Sequence, residues 1–185
     1  GDMWWNLTEA RYEIPKNEGV HSLFAGSLWI GGLDDQNNLK IAAMTYRQTG
    51  SDFYPGPLNA DSNSPLFGST SFDDCNDYNQ HWVISKNEVE AYVTYLECTN
   101  NPDCDTDVSF PNYVVPDVIT NWPSSHYSFD GTNEYLAPFI DVDGDGIYNN
   151  SDYPAYDLDA TGNCSSEDYL YGDQSIWWVF NDAGN

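Results

Sequence analysis

One acidic loop decides how this chain folds: Asp141-Val142-Asp143-Gly144-Asp145-Gly146-Ile147-Tyr148-Asn149-Asn150-Ser151-Asp152. Counted from its first residue, carboxylates occupy positions 1, 3, 5 and 12, and a glycine occupies position 6. Twelve-residue calcium loops have this spacing, because alternate residues of a tight loop direct their oxygen atoms to one side. The glycine permits the sharp turn that brings those oxygens together.

The spacing predicts a calcium ion bound by Asp141, Asp143, Asp145, the backbone carbonyl of Ile147 and Asp152. Four carboxylates crowded together without a cation would repel one another, and Ca²⁺ takes roughly six to eight oxygen ligands. The alternative is an acidic, solvated turn, since Asp and Gly are ordinary turn residues.

The flanks of the loop indicate a structural ion rather than a sensor. Pro154 follows the loop and discourages an exiting helix, and position 12 is Asp152 rather than the bidentate Glu of sensor loops. We therefore expect the ion to hold the backbone of the domain together and not to switch its conformation.

Composition narrows the possible partners. The 185 residues include 30 acidic and 5 basic side chains, for a net charge of −25, and 16% are aromatic. Such a charge repels nucleic acid and anionic membranes, and the aromatic content argues against disorder. No segment has the length of a membrane span. The sequence predicts one extracellular domain over residues 1–185, a fragment of a longer surface protein, with no nucleic-acid partner and no membrane insertion.

Four cysteines are compatible with disulfides in a secreted chain. Cys98 and Cys104 bracket a turn-rich segment, so we predict that they form a bridge, which leaves Cys75 for Cys164. Three pairings are formally open, and four reduced thiols are the alternative.

Polar turn residues between two apolar runs predict a β-hairpin over residues 22–48. Its tip, which carries Asp34, Asp35, Asn37 and Asn38, is either an ordinary hairpin turn or a second cation site. Residues 49–80 are predicted to be a long loop.

A capping box of Ser85 and Glu88 opens a predicted helix over residues 85–97, in which apolar residues recur on one stripe. A second short helix is predicted over 116–122, and residues 174–180 are apolar enough for a central strand. The fold class is α+β and rich in β-structure, with an antiparallel hairpin or sheet, one clear helix, and long ordered loops that the calcium loop staples.

Several stretches together resemble a known pattern. They are residues 24–32, 46–58, 136–152 and 172–182. In this order they resemble the N-terminal region of large secreted or cell-surface proteins of Bacteroidota that are exported by the type IX secretion system. The resemblance implies a sorting domain far downstream in the parent protein. It implies no activity, because this region has no assigned one.

Three functions are compared. Catalysis has little support, because the three histidines are scattered and no nucleophile or phosphate-binding motif is present, although a part of a secreted hydrolase stays open as an alternative. A carbohydrate-binding module is the second possibility. Trp29, Trp177 and Trp178 lie in apolar runs and are assigned to the core, which leaves as sugar-stacking candidates Trp4, Trp5, Trp82 and Trp122.

The third function is a non-catalytic, calcium-stabilised structural or adhesive module of a large secreted protein at the cell surface. It fits the charge, the cysteines, the loop and the resemblance, and it is the function that we expect. Its partners would be the remainder of the parent polypeptide or other cell-surface components, with polysaccharide as a further candidate.

Overall fold

The structure is a computed structural model that describes residues 9–24, 26–44, 52–127, 133–156, 158 and 170–183. The chain divides into two compact units. Unit 1 comprises Gly1–Asn59, Leu66–Asn79 and Phe180–Asn185, and unit 2 comprises Ala60–Pro65 and Gln80–Val179. The expectation of a single domain stays a prediction, and each unit is described by itself.

The fold class is α+β, as predicted, with short helices and small antiparallel sheets. The helices are α1 (Phe72–Asp77), α2 (Lys86–Thr99), α3 (Thr106–Ser109) and α4 (Asp117–Thr120). The strands are β1 (Tyr12–Glu13), β2 (His21–Leu23), β3 (Trp29–Leu33), β4 (Leu39–Ala43), β5 (Tyr54–Pro55), β6 (Trp82–Ser85), β7 (Ser125–Tyr127), β8 (Asn133–Tyr135), β9 (Phe139–Ile140), β10 (Tyr153–Pro154), β11 (Gln174–Trp177) and β12 (Phe180–Asn181). Over the described residues, each sheet has two strands.

The predicted hairpin is confirmed in unit 1 over β3 and β4, whereas Ser22 and Leu23 at the start of the predicted range lie in β2, which pairs with β1. Strands β3 and β4 are antiparallel, with Leu33 opposite Leu39 at the turn end. The carboxylate of Asp34 accepts the backbone N–H groups of Gln36 and Asn38, at 2.9 and 2.8 Å, and this hydrogen bonding lowers the pKa of Asp34. Because the turn itself uses these oxygens, the geometry favours a hairpin tip over a second cation site.

The predicted long helix is confirmed in unit 2 as α2. Ser85 accepts the N–H of Glu88 at 3.3 Å, and the Glu88 carboxylate accepts the N–H of Ser85 at 2.8 Å, so the capping box is complete. The helix buries Val89 and Tyr92 and ends close to the disulfide between Cys98 and Cys104, which is also confirmed.

Two short helices were not predicted. Helix α1 lies inside residues 49–80, which the sequence analysis assigned to loop, and α3 follows the disulfide. A local signal for α1 exists, because Ser71 accepts the N–H of Asp74 at 3.0 Å in a second capping box. The predicted helix over 116–122 is confirmed as α4, for which Pro116 is the N-cap residue.

The prediction of one central strand over residues 174–180 is wrong. The segment forms β11, which pairs with β6, and β12, which pairs with β5. Burial alternates along it, with Ile176 exposed and Trp177 partly buried. A central strand would be covered on both faces, whereas alternation is typical of a strand with one face toward solvent.

The tryptophan assignments are corrected. Trp82 and Trp122 were proposed as sugar-stacking surfaces, but they are 6% and 4% exposed, and their ring N–H groups donate to Asn121 O and Pro138 O. A ring buried in this way has no free face for a sugar. Trp29 and Trp178 were assigned to the core, yet they are 69% and 44% exposed. Trp4 and Trp5 lie outside the described residues.

The second predicted bridge, between Cys75 and Cys164, stays a prediction, because Cys164 lies outside the described residues. Among the described residues Cys75 has no disulfide partner, and its sulfur lies 3.8 Å from the hydroxyl of Thr70. Within the part of the chain that the structure describes, no helix is long and apolar enough to cross a membrane.

Candidate metal centre

The acidic loop is closed at its base by a pair of strands in unit 2. Strands β9 and β10 are antiparallel, with Ile140 opposite Tyr153 and Phe139 opposite Pro154. The pairing brings Asp141 and Asp152, the first and last residues of the loop, to neighbouring positions at the end of a short ladder. The loop between them has no regular secondary structure, so its conformation depends on side chains.

Carboxylates hold the loop by accepting backbone N–H groups. The two oxygens of Asp141 accept the N–H groups of Gly144 at 2.7 Å and Gly146 at 2.8 Å, and an Asp145 oxygen accepts that of Ile147 at 2.7 Å. Both glycines have a φ of 76°, in the left-handed region that favours glycine. The aspartates whose spacing predicts a calcium loop are therefore also residues that hold the turns of that loop.

Asp143 is oriented by two polar side chains that the sequence analysis did not single out. Its Oδ2 accepts from Asn149 Nδ2 and from Ser151 Oγ, both at 3.1 Å, while Oδ1 accepts the N–H of Asp145 at 3.2 Å. The hydrogen bond from Asn149 is the first cause of a lowered pKa for Asp143. Asp143 is therefore anionic at neutral pH, as a cation ligand must be.

Three of the predicted ligands come together. Asp141, Asp143 and Asp145 each offer a carboxylate oxygen, and these oxygens lie within 4.8 Å of one another. Oxygens that surround one calcium ion at roughly 2.3–2.6 Å are at most about 5 Å apart, so the group has the right size for a single ion. An all-oxygen donor set suits hard cations such as Ca²⁺ and Mg²⁺.

Asp152, the predicted closing ligand, is buried and hydrogen-bonded to the backbone of the loop. Its side chain is 0% exposed, and its two oxygens accept the N–H groups of Val142 at 2.9 Å and Asn149 at 2.8 Å. It thereby joins the two ends of the loop. Burial raises the pKa of Asp152, the two N–H donors oppose this, and the neighbouring charges of Asp143 and Asp141 raise it further. Its role as a ligand stays a prediction.

Ile147, the predicted carbonyl ligand, lies on the exposed side of the loop. Its carbonyl oxygen accepts Asn149 Nδ2 at 3.3 Å, a long hydrogen bond that leaves a lone pair for another partner. The contribution of this backbone carbonyl oxygen to the site also stays a prediction.

Two tyrosines attach the loop to helices of the same unit. Tyr92 of α2 donates its hydroxyl to Asn150 O at 2.6 Å, and Tyr148 donates to Ile119 O of α4 at 2.7 Å. The ring of Tyr148 packs edge-on against Phe139, with 5.5 Å between ring centroids. Burial raises the pKa of Tyr148 well above its ordinary value. The loop is thus part of the packed structure of unit 2.

Among the described residues, the carboxylates of the loop have no cationic partner. Among the residues that the structure describes, no Lys or Arg forms an ion pair with Asp141, Asp143, Asp145 or Asp152. Hydrogen bonds orient these groups but do not neutralise them. An added cation would remove the repulsion between the carboxylates of Asp141, Asp143 and Asp145 and would also lower the cost of keeping Asp152 ionised.

No protein-family model, curated protein or solved structure matches this chain. The interpretation of the site therefore rests on its own geometry and chemistry. The spacing of the carboxylates did not indicate that Asn149 and Ser151 orient Asp143. Both fall between the carboxylates at positions 5 and 12 of the loop, and a polar side chain so placed is well situated to orient a carboxylate.

Proposed function

We propose that this chain is a non-catalytic, calcium-stabilised structural or adhesive module of a large secreted protein at the cell surface. The observation that carries the proposal is the group of Asp141, Asp143 and Asp145, whose oxygens lie within 4.8 Å of one another without a basic partner among the described residues. The resemblance to exported surface proteins of Bacteroidota supplies the cellular setting, which includes the type IX secretion system.

Calcium is favoured over magnesium by the construction of the loop. Mg²⁺ requires near-ideal octahedral geometry and retains several waters, whereas Ca²⁺ accepts a larger and more variable oxygen shell. The carboxylates of this loop are positioned by backbone turns of irregular geometry, which suits the less demanding ion. The spacing of carboxylates at positions 1, 3, 5 and 12 of the loop also favours calcium.

The attachments of the loop support a structural role for the ion. The β9–β10 ladder closes its base, Asp152 joins its ends, and Tyr92 and Tyr148 attach it to α2 and α4. An ion bound here would hold together segments that are already packed, instead of opening a helix pair as in sensor loops. Its binding energy would add to the stability of the folded state.

An extracellular setting is consistent with the disulfide between Cys98 and Cys104, since such bridges persist in oxidising compartments. We propose that the module binds the remainder of its parent polypeptide or other cell-surface components. The carbohydrate-binding alternative has less support, because two of its four candidate tryptophans, Trp82 and Trp122, are buried. The other two, Trp4 and Trp5, lie outside the described residues.

Thermal melting in calcium, magnesium or chelator tests the metal. If the ion binds only the folded state at a hundredfold excess over Kd, it adds about 2.7 kcal/mol to the free energy of unfolding. For a chain of this size that is a rise in Tm of roughly 5–10 °C. Magnesium at the same concentration should produce a smaller rise. Identical melting curves in calcium and in chelator would show that the loop is an acidic turn that binds no calcium.

A further inference from the structure

The β3–β4 hairpin of unit 1 presents an apolar face to solvent. In its register Trp29 lies opposite Ala43, Gly31 opposite Ile41, and Leu33 opposite Leu39. Alternate residues of a strand share a face, so these three pairs lie on one side of the hairpin. We call the side chains of Trp29, Leu33, Leu39 and Ile41 the apolar hairpin face. Each of them is between 51% and 69% exposed.

The opposite side of the hairpin carries Ala42, which is 2% exposed, and Ile30, which is 47% exposed. Asp52 Oδ2 accepts the backbone N–H of Ala43 at 2.8 Å, and this hydrogen bond attaches the hairpin to another segment of unit 1. The indole N–H of Trp29 donates to Met44 O at 3.1 Å, so the largest side chain of the apolar hairpin face is held in one orientation. The face is therefore a positioned surface, and contiguous exposed apolar surface of this kind marks interaction sites.

Neither the backbone conformation nor the packing of the described residues requires glycine at the two glycine positions of β3. Neither Gly31 nor Gly32 has a positive φ. A Cβ at Gly31 would meet Lys40 O at 3.7 Å and Ile41 Cγ1 at 3.9 Å, which are ordinary contacts, and a Cβ at Gly32 would meet nothing within 4 Å. A glycine that neither conformation nor internal packing requires is typical of a strand that another group approaches closely.

We infer that the apolar hairpin face is a docking surface for another polypeptide, a segment with one apolar face and flanking Lys or Arg residues, whose large side chain lies over Gly31 between Trp29 and Leu33. This deepens the partner part of the proposed function and does not depend on the metal. The net charge of this chain indicates the charge that the partner should carry. With a net charge of −25, a second copy of this chain would be repelled, whereas the same charge favours a partner with a basic flank. At the adjacent tip Asp35 contributes to this charge, while Lys40 on β4 lies beside Asp34.

The probe is a synthetic peptide of about twelve residues in which Leu and Lys alternate, with matched peptides that alternate Leu with Glu and Ser with Lys. Binding to the chain, both in calcium and in chelator, is measured by fluorescence anisotropy at about 0.15 M salt, where long-range charge effects are screened. We expect the Leu–Lys peptide to bind at least about tenfold more tightly than either control peptide. Equal binding of the Ser–Lys peptide, or no binding of the Leu–Lys peptide, would overturn the inference.

Two sets of variants locate the surface. Trp29→Ser with Leu39→Ser should weaken Leu–Lys peptide binding at least about tenfold, while the control pair Val108→Ser with Val114→Ser, which also removes exposed apolar side chains, should leave it unchanged. Equal losses in both pairs would show that binding is not located at the hairpin.

Gly31→Val separates docking from folding. Valine suits a strand and has room here, so its Tm should equal or exceed that of the wild type, but its side chain occupies the space over Gly31 and should weaken binding at least about tenfold. A lower Tm with unchanged affinity would mean that the glycine serves the fold. Sedimentation that shows dimers lost in Trp29→Ser would make a second copy the occupant and overturn the inference.

Discussion

Asp143 connects the local hydrogen bonding of the acidic loop to its capacity for a cation. Asn149 and Ser151 hold one of its oxygens, and its carboxylate also belongs to the group that lies within 4.8 Å. We predict that Asp143→Ala abolishes most of the calcium-dependent rise in Tm, because it removes one of the three clustered carboxylates while leaving the Asp141 turn in place.

The matched control for this prediction is Asp103→Ala, which removes an exposed carboxylate outside the loop. Its calcium-dependent rise in Tm should equal that of the wild type. If both variants lose the rise to the same extent, calcium acts on the overall charge and not at the loop.

Asp152 offers a second test, because its part in the backbone structure can be separated from its predicted part as a ligand. Its two oxygens each accept one backbone N–H. In Asp152→Asn one acceptor becomes a donor, so one N–H loses its partner, at a cost of about 1–3 kcal/mol in the free energy of unfolding in chelator. Urea denaturation in chelator and in calcium measures both parts.

A loss that is equal in the two conditions would mean that Asp152 only joins the ends of the loop. An additional loss in calcium would support it as the ligand at position 12. A variant as stable as the wild type in chelator would contradict the structural role that its buried hydrogen bonds indicate.

At the scale of elements, α2 is the longest helix among the described residues and carries the clearest local signal. Ser85 and Glu88 satisfy each other's backbone N–H groups at its start. Ser85→Ala should therefore lower the free energy of unfolding by about 0.5–2 kcal/mol, measured by urea denaturation. The nearby exposed Asn87→Ala is the control and should change it by less than about 0.5 kcal/mol. Equal effects would mean that the capping box does not set the start of α2.

Elements also show where local signals were sufficient and where they were not. The β3–β4 hairpin and α2 were predictable, because turn residues and caps act over a few positions. Helix α1 has the same kind of cap, at Ser71, but it is a short helix within a segment rich in turn residues. The pairing of β11 with β6 could not be predicted from the sequence, since its partners are 89 to 95 residues apart, as with Gln174 and Ser85 or Trp177 and Trp82.

At the scale of the whole molecule, buried tyrosines make stability depend on alkaline pH. Burial is the first cause of a raised pKa for Tyr78, Tyr92, Tyr113, Tyr148 and Tyr156. The unfolded pKa of tyrosine is about 10, so above that pH the folded state holds more protons than the unfolded state. The stabilisation present below pH about 10 should therefore be lost as the pH rises further.

Melting between pH about 8 and 11.5, with absorbance at about 295 nm to follow tyrosinate, checks this dependence. We expect a nearly constant Tm up to pH about 9, a fall above pH about 10, and tyrosinate absorbance that increases together with unfolding. The chain unfolded in denaturant is the control and should titrate near pH 10. Titration of all the tyrosines near pH 10 in the folded chain would contradict the burial of these hydroxyls.

By itself the sequence determined those features whose partners lie close along the chain. They include the carboxylate spacing of the acidic loop, the hairpin tip at Asp34, the capping box of Ser85, and the bridge between Cys98 and Cys104, which are six residues apart. Short closures lose little chain entropy, so residue type and spacing are enough to specify them.

Only the tertiary structure decided which apolar residues are buried. Trp82 and Trp122 pack inside unit 2 while Trp29 lies in solvent, although all three are tryptophans, because burial depends on what the rest of the chain places against each ring. Contacts between distant segments set these outcomes, and no local pattern encodes them.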